Sequence, residues 1–162
     1  YPTWKRTLTH QAREAQMKRF CKAQAIQRRL EEIEVMFWEL EQQGIKLEKL
    51  LWAEDADQKM QWMNQLLYLV QKKNSLMSEE SDLMITVQEL KLEEQQWQLD
   101  QKLQWAMAVT HPAPLQPPAL AESLKTPEDC AAEQEILVQL LEVVNKHNVL
   151  IHIQEEKRLS KL

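Results

Sequence analysis

The sequence predicts an all-α protein: an elongated, antiparallel arrangement of three helices with a long central helix and no β-sheet. Three observations predict it. Gly44 is the one glycine among 162 residues, far below the usual ~7%, and β-turns draw heavily on glycine. No proline stands between Pro2 and Pro112, so nothing in that stretch forces a helix to break. Gln, Glu, Leu and Lys dominate, all good helix formers, and apolar residues recur at spacings of three and four.

After an N-terminal extension, 1–8, one domain is expected over 9–162. Helix 1 is read from about Thr9 to Trp52. Its main apolar stripe is Leu30, Ile33, Phe37, Leu40, Gly44, Leu47 and Leu51. A mid-helix glycine costs about 1 kcal/mol, so Gly44 is expected to admit the close approach of a neighbouring helix. Helix 2 is read from about Asp57, as N-cap, to about Ala108. Some fifty residues at 1.5 Å each give a helix of about 75 Å, too long for a compact globule. The segment 110–125, THPAPLQPPALAESLK, holds four prolines and reads as an exposed linker. Helix 3 then opens with Thr126 as N-cap and Pro127 at the first helical position. Glu128 and Asp129 follow at the positive end of the helix dipole, and the helix runs to about Lys161.

The chain repeats itself. QLLYLVQKKNSLM (65–77) returns as QLLEVVNKHNVLI (139–151), and seven of fifteen positions are identical between 62–76 and 136–150. A second echo at an offset of 52 aligns 32–51 with 84–103. It matches Ile33 with Ile85, Val35 with Val87, Leu40 with Leu92, Leu47 with Leu99 and Leu51 with Leu103. The order is therefore A–B–A′–B′, with B and A′ fused in helix 2. Each A/B pair is expected to form one helical unit, and the duplication predicts two similar surfaces.

Helix 3 is apolar over two adjacent rows. Leu137, Leu141, Val144, Asn148 and Ile151 form one; Ile136, Leu140, Val143, His147 and Leu150 form the next. Helix 2 repeats them as Met63, Leu67, Val70, Asn74 and Met77 beside Trp62, Leu66, Leu69, Lys73 and Leu76. Packing against one neighbour uses about one such arc. A second row is either further core or a surface left for a partner, and the pattern allows both.

The net charge is −5, from 20 basic and 25 acidic residues, which argues against general nucleic-acid binding. It is unevenly spread. Residues 1–29 hold eight Lys/Arg against Glu14 alone, about +7, which leaves about −12 for the rest. That basic segment reads as a solvated helix face, with contact to an acidic membrane surface or RNA as the other reading. No apolar run approaches the ~18 residues of a transmembrane segment. Cys21 and Cys130 have no metal-like spacing and read as reduced thiols of a cytosolic protein. The sequence opens on Tyr1 rather than Met, as a piece of a longer protein does. Nothing points to an enzyme or a cofactor. There is no glycine-rich phosphate loop, and His10, His111, His147 and His152 share no ligand spacing.

Three segments carry a family resemblance. KAQAIQRRLEEIEVMFWELEQQGIKLEKLL (22–51), VQKKNSLMSEESDLM (70–84) and LKTPEDCAAEQEILVQLLEVVNKHNVLI (124–151) resemble, in the same order, the bMERB domain. This is the Rab-binding module at the C-terminus of MICAL, MICAL-like and EHBP proteins, and the likeness is to the MICAL branch. The resemblance implies helices 1 and 3 folded back along a long helix 2. It implies binding of GTP-loaded Rab GTPases of the exocytic and recycling group, hence a cytoplasmic protein recruited to vesicle or endosome membranes. It also implies an intramolecular partner domain in the full-length protein. Some members have two Rab sites, which agrees with the A–B–A′–B′ order.

Carried over by position, the first site takes Val70 and Met77 with their row neighbours Met63, Leu67 and Asn74. The second takes Val144 and Ile151 with Leu137, Leu141 and Asn148. Val35 and Val87 are assigned to the neighbouring helix of each. The asparagines are expected to bond to the switch backbone of the GTPase. The sequence departs from the family where RELEERG is replaced by Trp38-Glu39-Leu40-Glu41-Gln42-Gln43-Gly44, and where QRD is replaced by Lys146-His147-Asn148. Val35, Trp38, Ile45 and Trp52 lie on a second side of helix 1. This supports the alternative of a coiled-coil scaffold or homodimerisation domain without Rab binding.

Overall fold

A computed structural model describes residues 3–53, 56–110 and 127–162. Among them there are three helices and no strand: α1 (Thr3–Ala53), α2 (Ala56–Thr110) and α3 (Pro127–Ser160). α1 begins at Thr3 rather than Thr9, so the segment taken as an extension is largely helical. α2 begins at Ala56, which puts Asp57 inside the first turn instead of at the N-cap. Glu128 and Asp129 stand in the first turn of α3 and Lys157 and Arg158 in its last, each sign opposite to the adjacent end of the dipole. The proline-rich linker and the Thr126 cap lie outside the described residues.

The chain divides into two units, 1–87 and 88–162, so the boundary falls within α2. The first unit pairs α1 with the first part of α2 and the second pairs the rest of α2 with α3, the division that the A–B–A′–B′ order predicts.

In the first unit the buried residues of α1 are Ile26, Ile33, Leu40 and Leu47, one every seven residues. Leu69 and Leu76 of α2 keep the same interval and close the core with Ile33, Leu40 and Leu47. A period of seven keeps one seam of a helix against one neighbour, as in coiled coils. Met36, Phe37, Trp62 and Leu83 pack around this seam. Ile33 is its tightest point, 1% exposed; full burial of such a side chain contributes about 1.5–3 kcal/mol.

Near the N-terminal side of this seam, Arg29 of α1 donates to both carboxylate oxygens of Glu79 on α2, Nε–Oε1 at 2.6 Å and Nη2–Oε2 at 3.0 Å. Its Nη1 donates to Glu32 at 3.0 Å. Because Arg29 meets Glu79 while Leu47 lies with Leu69 along one cleft, α1 and α2 run antiparallel here.

Gly44 does not serve a close helix approach. A Cβ built on it meets nothing within 4 Å. The flanking Leu40 and Leu47 fill the seam and set the separation of the helices, so the missing side chain leaves open space.

The second unit repeats the plan. Leu92, Leu99 and Val143 form its core, with Ile136, Leu140 and Leu150 packed against them. Leu92 and Leu99 are the counterparts of Leu40 and Leu47 at the offset of 52, and all four are buried. Val143 is likewise the counterpart of Leu69 at the offset of 74. Gln154 near the end of α3 donates to Glu89 at the start of the unit, so α3 also runs antiparallel to its partner. The duplication is not complete: Leu90 is buried, while its counterpart Trp38 is 62% exposed.

Candidate protein-binding rows

The two adjacent apolar rows of each B-type helix separate cleanly. In α2 the apolar members of the inner row, Trp62, Leu66, Leu69 and Leu76, are buried or half-buried, with Trp62, Leu69 and Leu76 in the core shared with α1, while Lys73 of the same row is exposed. The neighbouring row, Met63, Leu67, Val70, Asn74 and Met77, is exposed throughout. In α3 the core row is Ile136, Leu140, Val143, His147 and Leu150, and the exposed row is Leu137, Leu141, Val144, Asn148 and Ile151. The reason is geometric. Adjacent residues differ by about 100° around a helix, and one seam against one neighbour uses one row. The second row of each unit stays in solvent although it is as apolar as the first.

The exposure is substantial. Leu67 is 56% exposed, Val70 48%, Leu141 61% and Val144 44%. The 3/4 spacing also continues beyond the five residues read from sequence. Met60 and Met84, both exposed, extend the α2 row at its two ends. That spacing is visible in the sequence and would have found them. At the Met84 end the row meets a cleft of about 300 Å³, where Met84 and Glu80 of α2 face Leu30, Glu34 and Phe37 of α1. The α3 row ends differently. Glu155 and Arg158, at the next row positions, form an exposed ion pair at 2.6 Å. Arg158 donates to Glu155 and holds its carboxyl below the usual carboxylate range.

Val35 is not brought to the α2 row. It lies two residues from fully buried Ile33, about 200° round the helix, and is exposed on the side of α1 turned away from α2, as are Trp38, Ile45 and Trp52. Val87, the last residue of the first unit, is half-buried.

A row of this kind suits protein recognition. Apolar side chains at heptad spacing present a continuous strip to an apolar counterpart, and one amide in the strip fixes its register through hydrogen bonds. Asn74 and Asn148 occupy equivalent places in the two rows. No group of three or more His, Cys, Asp or Glu among the described residues is placed to hold a metal ion. No described helix is long and apolar enough to cross a membrane. Both cysteines are free.

Comparison with known proteins agrees with this architecture. Residues 26–162 match the family model described as the bivalent Mical/EHBP Rab binding domain. The chain is 54% identical over 165 residues to the [F-actin]-monooxygenase MICAL1 of Bos taurus, covering 100% of this chain and 14% of that protein. It is 41% identical over 157 residues to mical1 of Danio rerio, covering 97% of this chain and 12% of the relative. To MICAL3 of Homo sapiens it is 38% identical over 154 residues, covering 92% of this chain and 7% of the relative. The chain thus spans about one seventh or less of the curated relatives it matches. What is matched is a helical binding module. The family match, the duplicated cores and the paired outward rows converge, and this chain belongs to the bivalent Mical/EHBP Rab-binding domain family.

Proposed function

We propose that this domain is a Rab effector module that takes up two GTP-loaded Rab GTPases, one on the Met63–Met77 row and one on the Leu137–Ile151 row. The observation that carries the reading is the pair of exposed rows with Leu67/Leu141, Val70/Val144 and Asn74/Asn148 in common. Each is mounted on its own core, in a chain of a Rab-binding family. A Rab in its GTP state presents an apolar, aromatic-rich switch surface, to which such a row is complementary; in the GDP state that surface is not assembled. The partners are Rabs of the exocytic and recycling group, and through them the protein is recruited to vesicle or endosome membranes. In a longer protein, other domains of the same chain are further partners for these rows.

The test is calorimetric titration with a panel of recycling and exocytic Rabs, each loaded with a GTP analogue or with GDP. Two equivalents are expected for the GTP form. Val70→Asp and Val144→Asp each place a carboxylate in one strip and should each remove one equivalent, weakening that site at least tenfold, or about 1.4 kcal/mol. Absence of binding to every GTP-loaded Rab by a folded chain defeats the reading.

A second reading rests on Trp38 and Trp52, which are 62% and 92% exposed on the side of α1 away from α2. A strip with Val35 and Ile45 suits self-association as a homodimer. A mass by light scattering that halves on Trp38→Glu would support it, and a monomer at high concentration would end it.

A further inference from the structure

The two exposed rows differ in one chemical respect. At the 74-residue offset the α2 row, extended through Met60, Ser81 and Met84, has eight positions, of which three are identical in α3. Four of the remaining five are methionine in α2 and something else in α3: Met60 against Gln134, Met63 against Leu137, Met77 against Ile151 and Met84 against Arg158. Four of the chain's seven methionines therefore lie on one strip of one unit, and its counterpart has none. All four are open to solvent, Met60 at 75%, Met63 at 58%, Met77 at 51% and Met84 at 46%. Met36, packed against the core of the same unit, is half-buried.

An exposed thioether is the form of methionine that oxidises, and the product is polar and chiral where the parent was apolar and flexible. From this we infer that the first row is an oxidation-sensitive switch site and the second a constant one. Peroxide converts Met63 and Met77 to sulfoxides and abolishes partner binding by the first unit, while the second unit keeps its partner. The inference rests on the two-site Rab reading above. In the step, a sulfur lone pair attacks one peroxide oxygen and the O–O bond breaks. One oxygen stays on sulfur and the other leaves as water, so sulfur is oxidised by two electrons and peroxide reduced by two. A methionine sulfoxide reductase, drawing on thiol reductant, reverses it. The consequence for binding is local. Met63 and Met77 flank Leu67, Val70 and Asn74, and a sulfoxide pressed into an apolar partner surface loses its hydration without a matched donor.

The test uses the whole 162-residue chain, treated with graded hydrogen peroxide, mapped by peptide mass spectrometry and titrated with a GTP-analogue-loaded Rab. One added oxygen is expected at Met63 and Met77 before Met36, with helicity unchanged. Binding should fall from two equivalents to one, and the lost site should be weakened at least tenfold. The Met63→Leu/Met77→Leu variant, whatever its starting affinity at the first row, should bind identically before and after the same treatment, and reductase should restore the second equivalent to the parent. Full sulfoxide at Met63 and Met77 with both equivalents retained overturns the switch, as does loss of the site that Val144→Asp removes. Unoxidised Val70→Asp separates the two levels. If it removes one equivalent and oxidation removes none, the switch alone fails. If it removes none, the site reading fails and takes the switch with it.

Discussion

Arg29 and Glu79 meet as a two-pronged ion pair across α1 and α2, at 2.6 and 3.0 Å, fifty residues apart in the chain. The geometry matches a planar guanidinium to a planar carboxylate and fixes the sliding register of the helices beside the heptad seam. Hydrogen bonding to Arg29 holds the Glu79 carboxyl below the usual carboxylate range. About a third of each side chain is open to solvent, so screening makes this a modest device.

A depressed carboxylate pKa stabilises the fold above the unfolded value, about 4.3 for Glu. That contribution fades as pH falls through the lower, folded value. Glu79→Gln should therefore lower the midpoint of urea unfolding at pH 7. The gap between variant and parent should close as the pH is taken below 4. Equilibrium unfolding followed by helicity at several pH values checks it; a gap that widens in acid contradicts the assignment.

The separation of core row from outward row predicts opposite behaviours for side chains of similar kind. Ile33→Ala removes the most buried side chain of the first unit and should cost about 2–5 kcal/mol. Leu67→Ala and Leu141→Ala, at 56% and 61% exposure, should change stability by no more than about 0.5 kcal/mol while weakening partner binding. Paired denaturation and calorimetry decide between the two behaviours.

Gly44→Ala should stabilise the chain. A Cβ there meets nothing, and alanine in a helix interior is favoured over glycine by about 0.8–1 kcal/mol, partly by restricting the unfolded chain. A higher denaturation midpoint is expected, with binding at either row unchanged.

The indole N–H of Trp97 is buried and has no acceptor among the described residues. A buried unsatisfied donor costs about 1–3 kcal/mol. Trp97→Phe removes that donor and gives up some apolar contact, so a net change under about 1 kcal/mol is expected. A loss of several kcal/mol would show that the indole is satisfied in solution.

Much of this was legible in the residues. The heptad interval of Ile33, Leu40 and Leu47, the glycine scarcity and the two echoes define the helices, the units and the boundary inside α2. The choice between Leu66 and Leu67, or Leu140 and Leu141, was not legible. Neighbouring rows of equal apolarity have the same pattern in one dimension, and only the position of the facing helix decides which is covered. Gly44 was misread for a related reason: its place in the stripe was visible, but the spacing that Leu40 and Leu47 impose around it was not. Val35 shares an echo with Val87, yet an echo preserves sequence position and does not say what an outward side chain meets.

Each unit has its own small core, and α2 contributes residues to both. The thermal behaviour should follow from that. Cooperative melting requires that loss of one region deprive another of its contacts, and here the two seams are distinct. A broad or two-step melting curve is the natural outcome. A ligand seated on one row should raise the transition of its own half and leave the other near its original temperature, because linkage acts only on the species that binds. Calorimetric scans of the domain would then report occupancy half by half, without a label on either.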